Sequence, residues 1–242
     1  MASLKQRAID VYSWFEQRLG LGTPAIEAAT HEVPSSTSSW WYVFGSAATV
    51  ILVLQVVTGI LLALVYAPTA GHAWASLEFL DHNVRLGWYL RAMHGWGSDF
   101  MVAIVLIHLV QVFLFGAYKF PRELTWIIGV FLLLLTLLLS YTGYLLPWDQ
   151  LAFWAVTVGS NIASAVPIAG AKMRFLLLGG HQVNANALLR FYVLHCMILP
   201  LFLLFLVAIH FWRIRKDGGI YPGAEPPAPV VVNEQPTEVA SR

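Results

Sequence analysis

The sequence has 242 residues, of which 58% are hydrophobic and 11% are charged, and its formal net charge is +1. This composition is typical of an integral membrane protein and differs from that of an average soluble domain. The near-neutral charge provides no basic field for nucleic acid. The single cysteine, Cys196, excludes an intrachain disulfide and a cysteine-ligated iron–sulfur cluster on this chain.

Residues 1–39 are predicted to form a cytoplasmic amphipathic helix and a linker. Charged residues interrupt the first thirty positions, so we do not expect a cleaved secretory leader. Apolar residues recur there at helical spacing, which indicates a helix that lies in the membrane interface or docks against another subunit. These apolar residues are Leu4, Ala8, Val11, Tyr12, Phe15 and Leu19.

Four apolar stretches are each long enough to cross a hydrocarbon core of about 30 Å. Proline and charged residues follow them, as expected where a membrane helix ends. We predict a transmembrane domain over residues 40–216, with spans at about 40–66, 91–118, 124–146 and 190–213.

The segments between the spans are predicted to be mostly irregular. Residues 67–88 have the composition of a loop, residues 151–167 that of an interfacial helix, and residues 170–186 that of a turn-rich loop. Residues 217–242 are too polar and proline-rich to pack a core and are predicted to be disordered. The predicted fold class is an all-α membrane protein with a four-helix bundle, an N-terminal amphipathic helix and an interfacial helix.

The second and fourth predicted spans each carry two histidines, namely His94 with His108 and His195 with His210. Histidine is rare and costly in hydrocarbon, so these side chains need partners. Fourteen residues of helix separate His94 from His108 by about 21 Å, which is too far for one metal ion. The histidines are therefore predicted to pair between helices.

The spacings also place both histidines of each helix on roughly one face. At about 100° per residue, fourteen residues return to within about 40° of the starting direction and fifteen to within about 60°. Parallel helices would then pair His94 with His195 and His108 with His210. Two bis-histidine sites suit two b-type haems, because imidazoles can fill both axial positions of each iron. Histidines that merely bond neighbouring helices are the alternative interpretation.

Two glycine pairs repeat the fourteen-residue spacing on the spans that lack histidine. They are Gly45 with Gly59 and Gly129 with Gly143. Glycine costs a helix about 1 kcal/mol relative to alanine. We interpret these glycines as cofactor-binding positions at which a planar haem approaches the backbone, although small residues also serve close helix packing.

The distribution of basic residues predicts the orientation. Eight lysines and arginines flank the spans on the side of the termini and five on the opposite side. By the positive-inside rule this predicts a multi-pass protein of a bacterial inner membrane with both termini cytoplasmic. The second and fourth spans would then run inward from the positive side of the membrane.

Four motifs together resemble a known family. They are RAMH at 91–94, PRELTW at 121–126, TGYLLPWDQ at 142–150 and RFYVLH at 190–195. With His108 and His210, they resemble the cytochrome b subunit of quinol-oxidising cytochrome bc complexes, and in particular the short cytochrome b6 of the b6f type. The resemblance extends over about residues 8–216.

The resemblance implies a role for each intramembrane histidine. His94 and His195 would hold the iron of a haem near the positive side, and His108 and His210 that of a haem near the negative side. Arg91 is similar in position to the family's arginine near a haem propionate, a role that its charge suits.

The resemblance also implies where quinone binds. Pro147, Trp148 and Asp149 fall where the family lines part of the quinol-oxidation pocket, and Arg215 falls near the family's quinone-reduction site. Asp149 is the carboxylate nearest in sequence for general-base chemistry. Its place directly after a helix end favours a solvated or capping role instead.

Two features differ from the family pattern. The run Trp41-Tyr42-Val43 places valine where the b6 branch has the cysteine that attaches an extra haem covalently. We therefore expect non-covalent haems only, with a non-covalent third haem left open. The sequence also lacks a Pro-Glu-Trp-Tyr motif, so the glutamate that handles quinol protons is expected on a separate subunit.

The predicted function is that of a subunit of a quinol:cytochrome c, or plastocyanin-like acceptor, oxidoreductase. The expected partners are quinone, lipid, a Rieske iron–sulfur protein, a subunit supplying the C-terminal half of cytochrome b and a c-type cytochrome, within a dimeric complex without nucleic acid. One alternative is a di-haem anchor of a hydrogenase or formate dehydrogenase. Another is a non-redox transporter that uses intramembrane histidines.

Overall fold

The computed structural model of the chain describes residues 5–7, 9–11, 13 and 40–217. The seven described residues near the N-terminus are helical, and Gln6 donates a hydrogen bond to Asp10 within this turn. They belong to the predicted amphipathic helix. The rest of that helix, the linker and the C-terminal tail lie outside the described residues.

All regular structure in the described part of the chain is helical. Four helices there are long and apolar enough to cross a membrane, which confirms the predicted fold class of an all-α protein with four membrane-spanning helices. We call them spans one to four, and they cover Trp40–Ala63, Gly87–Leu114, Glu123–Tyr144 and Ala185–Lys216.

The ends of the spans follow from local sequence. Leu86, with φ of 62° in the left-handed region, breaks the chain direction before span two. Glu123 lies in the first turn of span three, where a negative charge favours the positive end of the helix dipole. Arg213, Arg215 and Lys216 lie in the last turn of span four, where positive charge is favourable.

The connections contain more helix than the sequence predicted. Residues 67–88, predicted as a loop, include the helix Ala73–Asn83, which buries Ala73, Leu77 and Leu80 on one face. Residues 170–186, also predicted as a loop, include the helix Gly170–Leu178. Both helices are short, so a few buried residues stabilise them and the periodic signal is weak. A helix, Gln150–Ser164, covers most of the segment for which an interfacial helix was predicted.

The spans pack as two neighbouring pairs. Span one packs on span two, and span three packs on span four, while spans two and three also touch. The two histidine-bearing spans, two and four, pack little against each other. A buried apolar cluster instead closes one end of spans three and four, and it comprises Leu145, Val156, Leu178, Ala187 and Phe191.

Candidate functional site

A cavity of about 1130 Å3 lies among the four spans. Its volume exceeds the range of about 300–1,000 Å3 that is usual for a site that binds one small molecule. Residues from all four spans line the cavity, among them Tyr42 at the start of span one and Pro147 after the end of span three. Most of the lining side chains are apolar. All four intramembrane histidines line this cavity.

The structure brings His94 and His195 together across spans two and four. Their ring centroids are 6.2 Å apart and their planes are nearly perpendicular, at 84°. A metal–imidazole bond of about 2.0 Å, plus about 1.15 Å from nitrogen to ring centre, places two imidazoles on opposite sides of one metal about 6.3 Å apart. The observed separation therefore fits one metal held between the two rings.

A hydrogen bond to a carbonyl defines the tautomer of His195. Its Nδ1 lies 3.1 Å from the Leu139 carbonyl oxygen and 3.2 Å from the Thr142 hydroxyl. A carbonyl oxygen can only accept, so Nδ1 carries the proton. Nε2 then keeps its lone pair and is the nitrogen available to bind a metal.

The same reasoning applies to His94 and Thr58. The Thr58 hydroxyl donates to the Leu54 carbonyl at 2.7 Å, so its oxygen remains free to accept from His94 Nδ1 at 2.9 Å. The Nδ1 of His94 is therefore the donor, and Nε2 is the nitrogen available to a metal. Gln55 adds a hydrogen bond of 3.0 Å to the His94 carbonyl and ties span one to span two.

His108 and His210 form the second group at the opposite end of the cavity. Their rings face Gly45 of span one and Gly129 of span three, respectively. His108 Nδ1 lies 3.1 Å from the Gln111 amide oxygen, one turn further along span two. Among the described residues, the buried Nδ1 of His210 has no hydrogen-bond partner, although the backbone of Thr125 is close. The two histidine pairs therefore differ in how their outer nitrogens are supported.

Each predicted glycine faces one histidine ring. A Cβ added to any of the four would have an imidazole Cε1 as its nearest neighbour. The distances from the added Cβ to the imidazole Cε1 are 3.3 Å at Gly45 (to His108), 3.2 Å at Gly59 (to His94), 3.5 Å at Gly129 (to His210) and 2.6 Å at Gly143 (to His195). The planar groups that approach these glycines in the structure are thus the imidazoles. A side chain at any of these four glycines would occupy the space that lets the imidazole ring extend toward the centre of the bundle. This arrangement fits histidines that bind a group held between the spans.

Arg91 lines the cavity at the end of span two that carries His94. Its guanidinium makes two hydrogen bonds to the carboxylate of Asp81 on the helix Ala73–Asn83, one of them 2.9 Å from Nε to Oδ1. Arg91, the residue predicted to lie near a haem propionate, is therefore within one helical turn of His94, and the Asp81 carboxylate holds its side chain.

The residues predicted for quinol oxidation have different surroundings. Pro147 and Asp149 line the cavity, whereas Trp148, with φ of 55°, packs against the buried apolar cluster. Asp149 caps the helix Gln150–Ser164 and accepts a hydrogen bond of 2.7 Å from the Ala152 N–H. Its side chain thus has the capping role that the sequence favoured.

Arg215, predicted to lie near quinone reduction, is exposed and is not among the residues that line the cavity. The neighbouring Arg213 instead pairs with the buried Asp217 at 2.8 Å. Asp217 also accepts a hydrogen bond of 3.0 Å from Thr125 and so links the end of span four to the start of span three.

Sequence reasoning missed Thr58, Thr142 and Gln111, which support the histidines. A signal was present, because Thr58 and Thr142 each directly precede a glycine that faces a histidine. The repeated Thr-Gly pair occurs at the same level of spans one and three. Gln111 carries no comparable signal, since a lone polar residue one turn after a histidine has many roles.

Comparison with known proteins shows the family of the chain. The sequence model of the family described as cytochrome b/b6/petB matches residues 29–218. The chain is 43% identical over 207 residues to cytochrome b6 of Heliobacterium mobile, covering 85% of this chain and 97% of the relative. It is 38% identical over 208 residues to cytochrome b6 of Acaryochloris marina, covering 86% of this chain and 96% of that relative.

A solved structure titled hyperthermophilic respiratory complex III contains a chain that superposes on this fold with a TM-score of 0.75 at 31% identity. The match covers 89% of this chain and 59% of that longer chain. The family match over most of the sequence and the two cytochrome b6 relatives lead to one conclusion: the chain belongs to the cytochrome b/b6 family.

Proposed function

We propose that this chain is the di-haem subunit of a Rieske/cytochrome b-type quinol oxidoreductase and carries electrons across the membrane between two quinone sites. The observation that carries the proposal is one cavity lined by two pairs of imidazoles from spans two and four. The family membership and the complex III neighbour support the same function.

The residues present fit two b-type haems. Haem iron, when bound, takes up and passes on one electron at a time. His94 and His195 would hold one haem, each through Nε2, and His108 and His210 would hold the other. Hydrogen bonds at Nδ1 fix the tautomer and orientation of a ligating imidazole and raise its basicity.

The remaining cavity residues would shape and insulate these sites. Gly45, Gly59, Gly129 and Gly143 leave room for the imidazole rings, and the mostly apolar lining would keep water away from a bound haem. Arg91 would exchange or share its contact with Asp81 when a haem propionate approaches. The histidine pairs, separated by about 21 Å along span two, would connect the two membrane surfaces.

We place the His94–His195 pair on the positive side and both termini in the cytoplasm of a bacterium. Quinol would be oxidised near Pro147 and Asp149 and quinone reduced near Arg215. Asp149 already accepts a backbone hydrogen bond as a helix cap. A proton acceptor within hydrogen-bond reach of the quinol hydroxyl would therefore come from a separate cytochrome b subunit. Of the two electrons of quinol, one would pass through the two haems of this chain. The other would pass to a Rieske protein and then to a c-type cytochrome or similar acceptor, and the complex would be dimeric.

The experiment that tests this function uses the complex purified with its native subunits. We expect a reduced-minus-oxidised spectrum with b-type bands, and reduction of haem b when an oxidant is added to the quinol-treated complex. Oxidant-induced reduction arises only where the two electrons of quinol separate. Haem reduction by hydrogen or formate in the absence of quinol would instead support the anchor function. A spectrum without b-type bands would support the transporter.

The hydrogen bonds to the histidines predict a graded effect on haem potential. Thr58→Val removes the acceptor of His94 Nδ1, whereas after Thr142→Val the Leu139 carbonyl still accepts from His195 Nδ1 at 3.1 Å. A less basic imidazole stabilises ferric iron less. We expect Thr58→Val to raise the midpoint potential of the positive-side haem and Thr142→Val to raise it less. Redox titration of each variant complex measures both shifts, and an equal or reversed order would contradict the hydrogen-bond assignment.

A second expectation concerns covalent haem. Val43 has no thiol to form a thioether, and Cys196 lies next to His195 on span four. We expect no haem-stained band at the mass of this chain after denaturing electrophoresis, with a c-type cytochrome as the positive control on the same gel. A stained band at this mass would show a covalent attachment that the sequence does not predict.

A further inference from the structure

Spans one, two and three share one repeat. Gly45 and Gly59, His94 and His108, and Gly129 and Gly143 are all fourteen residues apart. On span four, however, His195 and His210 are fifteen residues apart, although Gly143 and Gly129 of the neighbouring span face these same two rings.

The fifteenth residue changes the direction of the second histidine. One additional residue rotates the chain by about 100° and advances it by about 1.5 Å. If span four were α-helical throughout, His210 would point about 60° to one side of His195, whereas fourteen residues would leave it about 40° to the other side. A local change in helix geometry that takes up one residue would restore the direction given by fourteen residues.

The structure contains such a change at the first histidine itself. Residues Leu194–Ile198 form a π-helical turn, and the Leu199 N–H donates to the Leu194 carbonyl, five residues earlier. A π turn takes one more residue than an α turn and typically occurs as a single widened turn. Pro200 lies two residues after the turn, and because it has no N–H and crowds the carbonyl of the preceding turn, it disfavours regular α-helix there.

We propose that the π turn at Leu194–Ile198 is a positioning element that absorbs the fifteenth residue, so that His195 and His210 keep the register of His94 and His108. The inference rests on the proposed haem function. It assigns a role to residues that touch neither the iron nor quinone, namely the five residues of the turn and Pro200.

The test removes one residue from the π turn and compares it with a matched deletion elsewhere. Met197 is 56% exposed within the turn, and Phe100 is 58% exposed in span two between His94 and His108. Deleting Met197 shortens the interval between His195 and His210 from fifteen residues to fourteen. The α-helix of span two already accommodates fourteen residues between its own two histidines. Deleting Phe100 leaves thirteen residues in span two and no widened turn to compensate.

Each variant complex is purified from membranes, haem per chain is counted and low-spin ferric signals are recorded by electron paramagnetic resonance. We expect the Met197 deletion to keep two haems and both low-spin bis-imidazole signals, and the Phe100 deletion to lose at least one of each. A Met197 deletion that accumulates no better than the Phe100 deletion, or that keeps fewer than two low-spin haems, overturns the inference. Absence of haem from the unaltered complex would instead overturn the proposed function, so the two failures are distinguishable.

Discussion

Replacing His94 or His195 with leucine is expected to remove the same haem, and replacing His108 or His210 the other. The 6.2 Å separation of the His94 and His195 rings is the distance at which two imidazoles hold one iron. Leucine provides no ligand, so each single replacement should abolish one bis-imidazole haem almost completely. Redox titration and low-temperature difference spectra of the four variants measure which haem remains.

The chain offers a matched control for these replacements. His82 lies on the helix Ala73–Asn83, is exposed and pairs with Glu78 at 3.5 Å. His82→Leu should therefore retain both haems. Loss of one common haem in the His94 and His108 variants, with the other haem intact, would show that the histidines pair along span two and would disprove the pairing across spans.

Adding a methyl group at Gly143 is expected to have the next largest effect. An added Cβ would lie 2.6 Å from the His195 Cε1, closer than real Cβ contacts, so the imidazole must move. We expect Gly143→Ala to lower occupancy of the haem proposed for His94 and His195 by about 10-fold or more, the range found when the orientation of a metal ligand is disturbed.

The glycines also predict an order. Alanine at Gly59 or Gly45 would approach an imidazole at 3.2 or 3.3 Å and should have an intermediate effect, whereas alanine at Gly129 would lie at an ordinary 3.5 Å. Gly71, in the connection after span one, is not among the cavity-lining residues, and no atom of the described residues lies within 4 Å of a Cβ added there, so it serves as the control. Gly71→Ala should leave both haems in place. Equal haem loss in the Gly143 and Gly71 variants would contradict this role of the glycines.

The sequence predicted the features that depend on long periodic patterns. The four spans are each more than twenty residues of apolar helix, so their existence was clear, and only the ends differed, as with Gly87 in place of residue 91. The histidine and glycine spacings were likewise informative, because helical geometry converts a spacing into a direction.

Features that depend on contacts between helices were not predictable in the same way. The acceptors at Thr58 and Leu139 become evident only when spans one and three are placed against the histidines, and a backbone carbonyl leaves no mark in the sequence. The helix Ala73–Asn83 is stabilised by a few buried residues rather than by a strong pattern. The only features of the sequence that indicate the π turn at Leu194–Ile198 are the fifteen-residue interval between the histidines and Pro200.

The most direct test of the central claim is the number of haems that this chain binds. The complex is purified with subunits quantified, and non-covalent protohaem is extracted and measured as its pyridine derivative against the amount of this chain. The account predicts two b-type haems per chain, each lost selectively with one histidine pair. One haem per chain, or none, in the unaltered protein would contradict it.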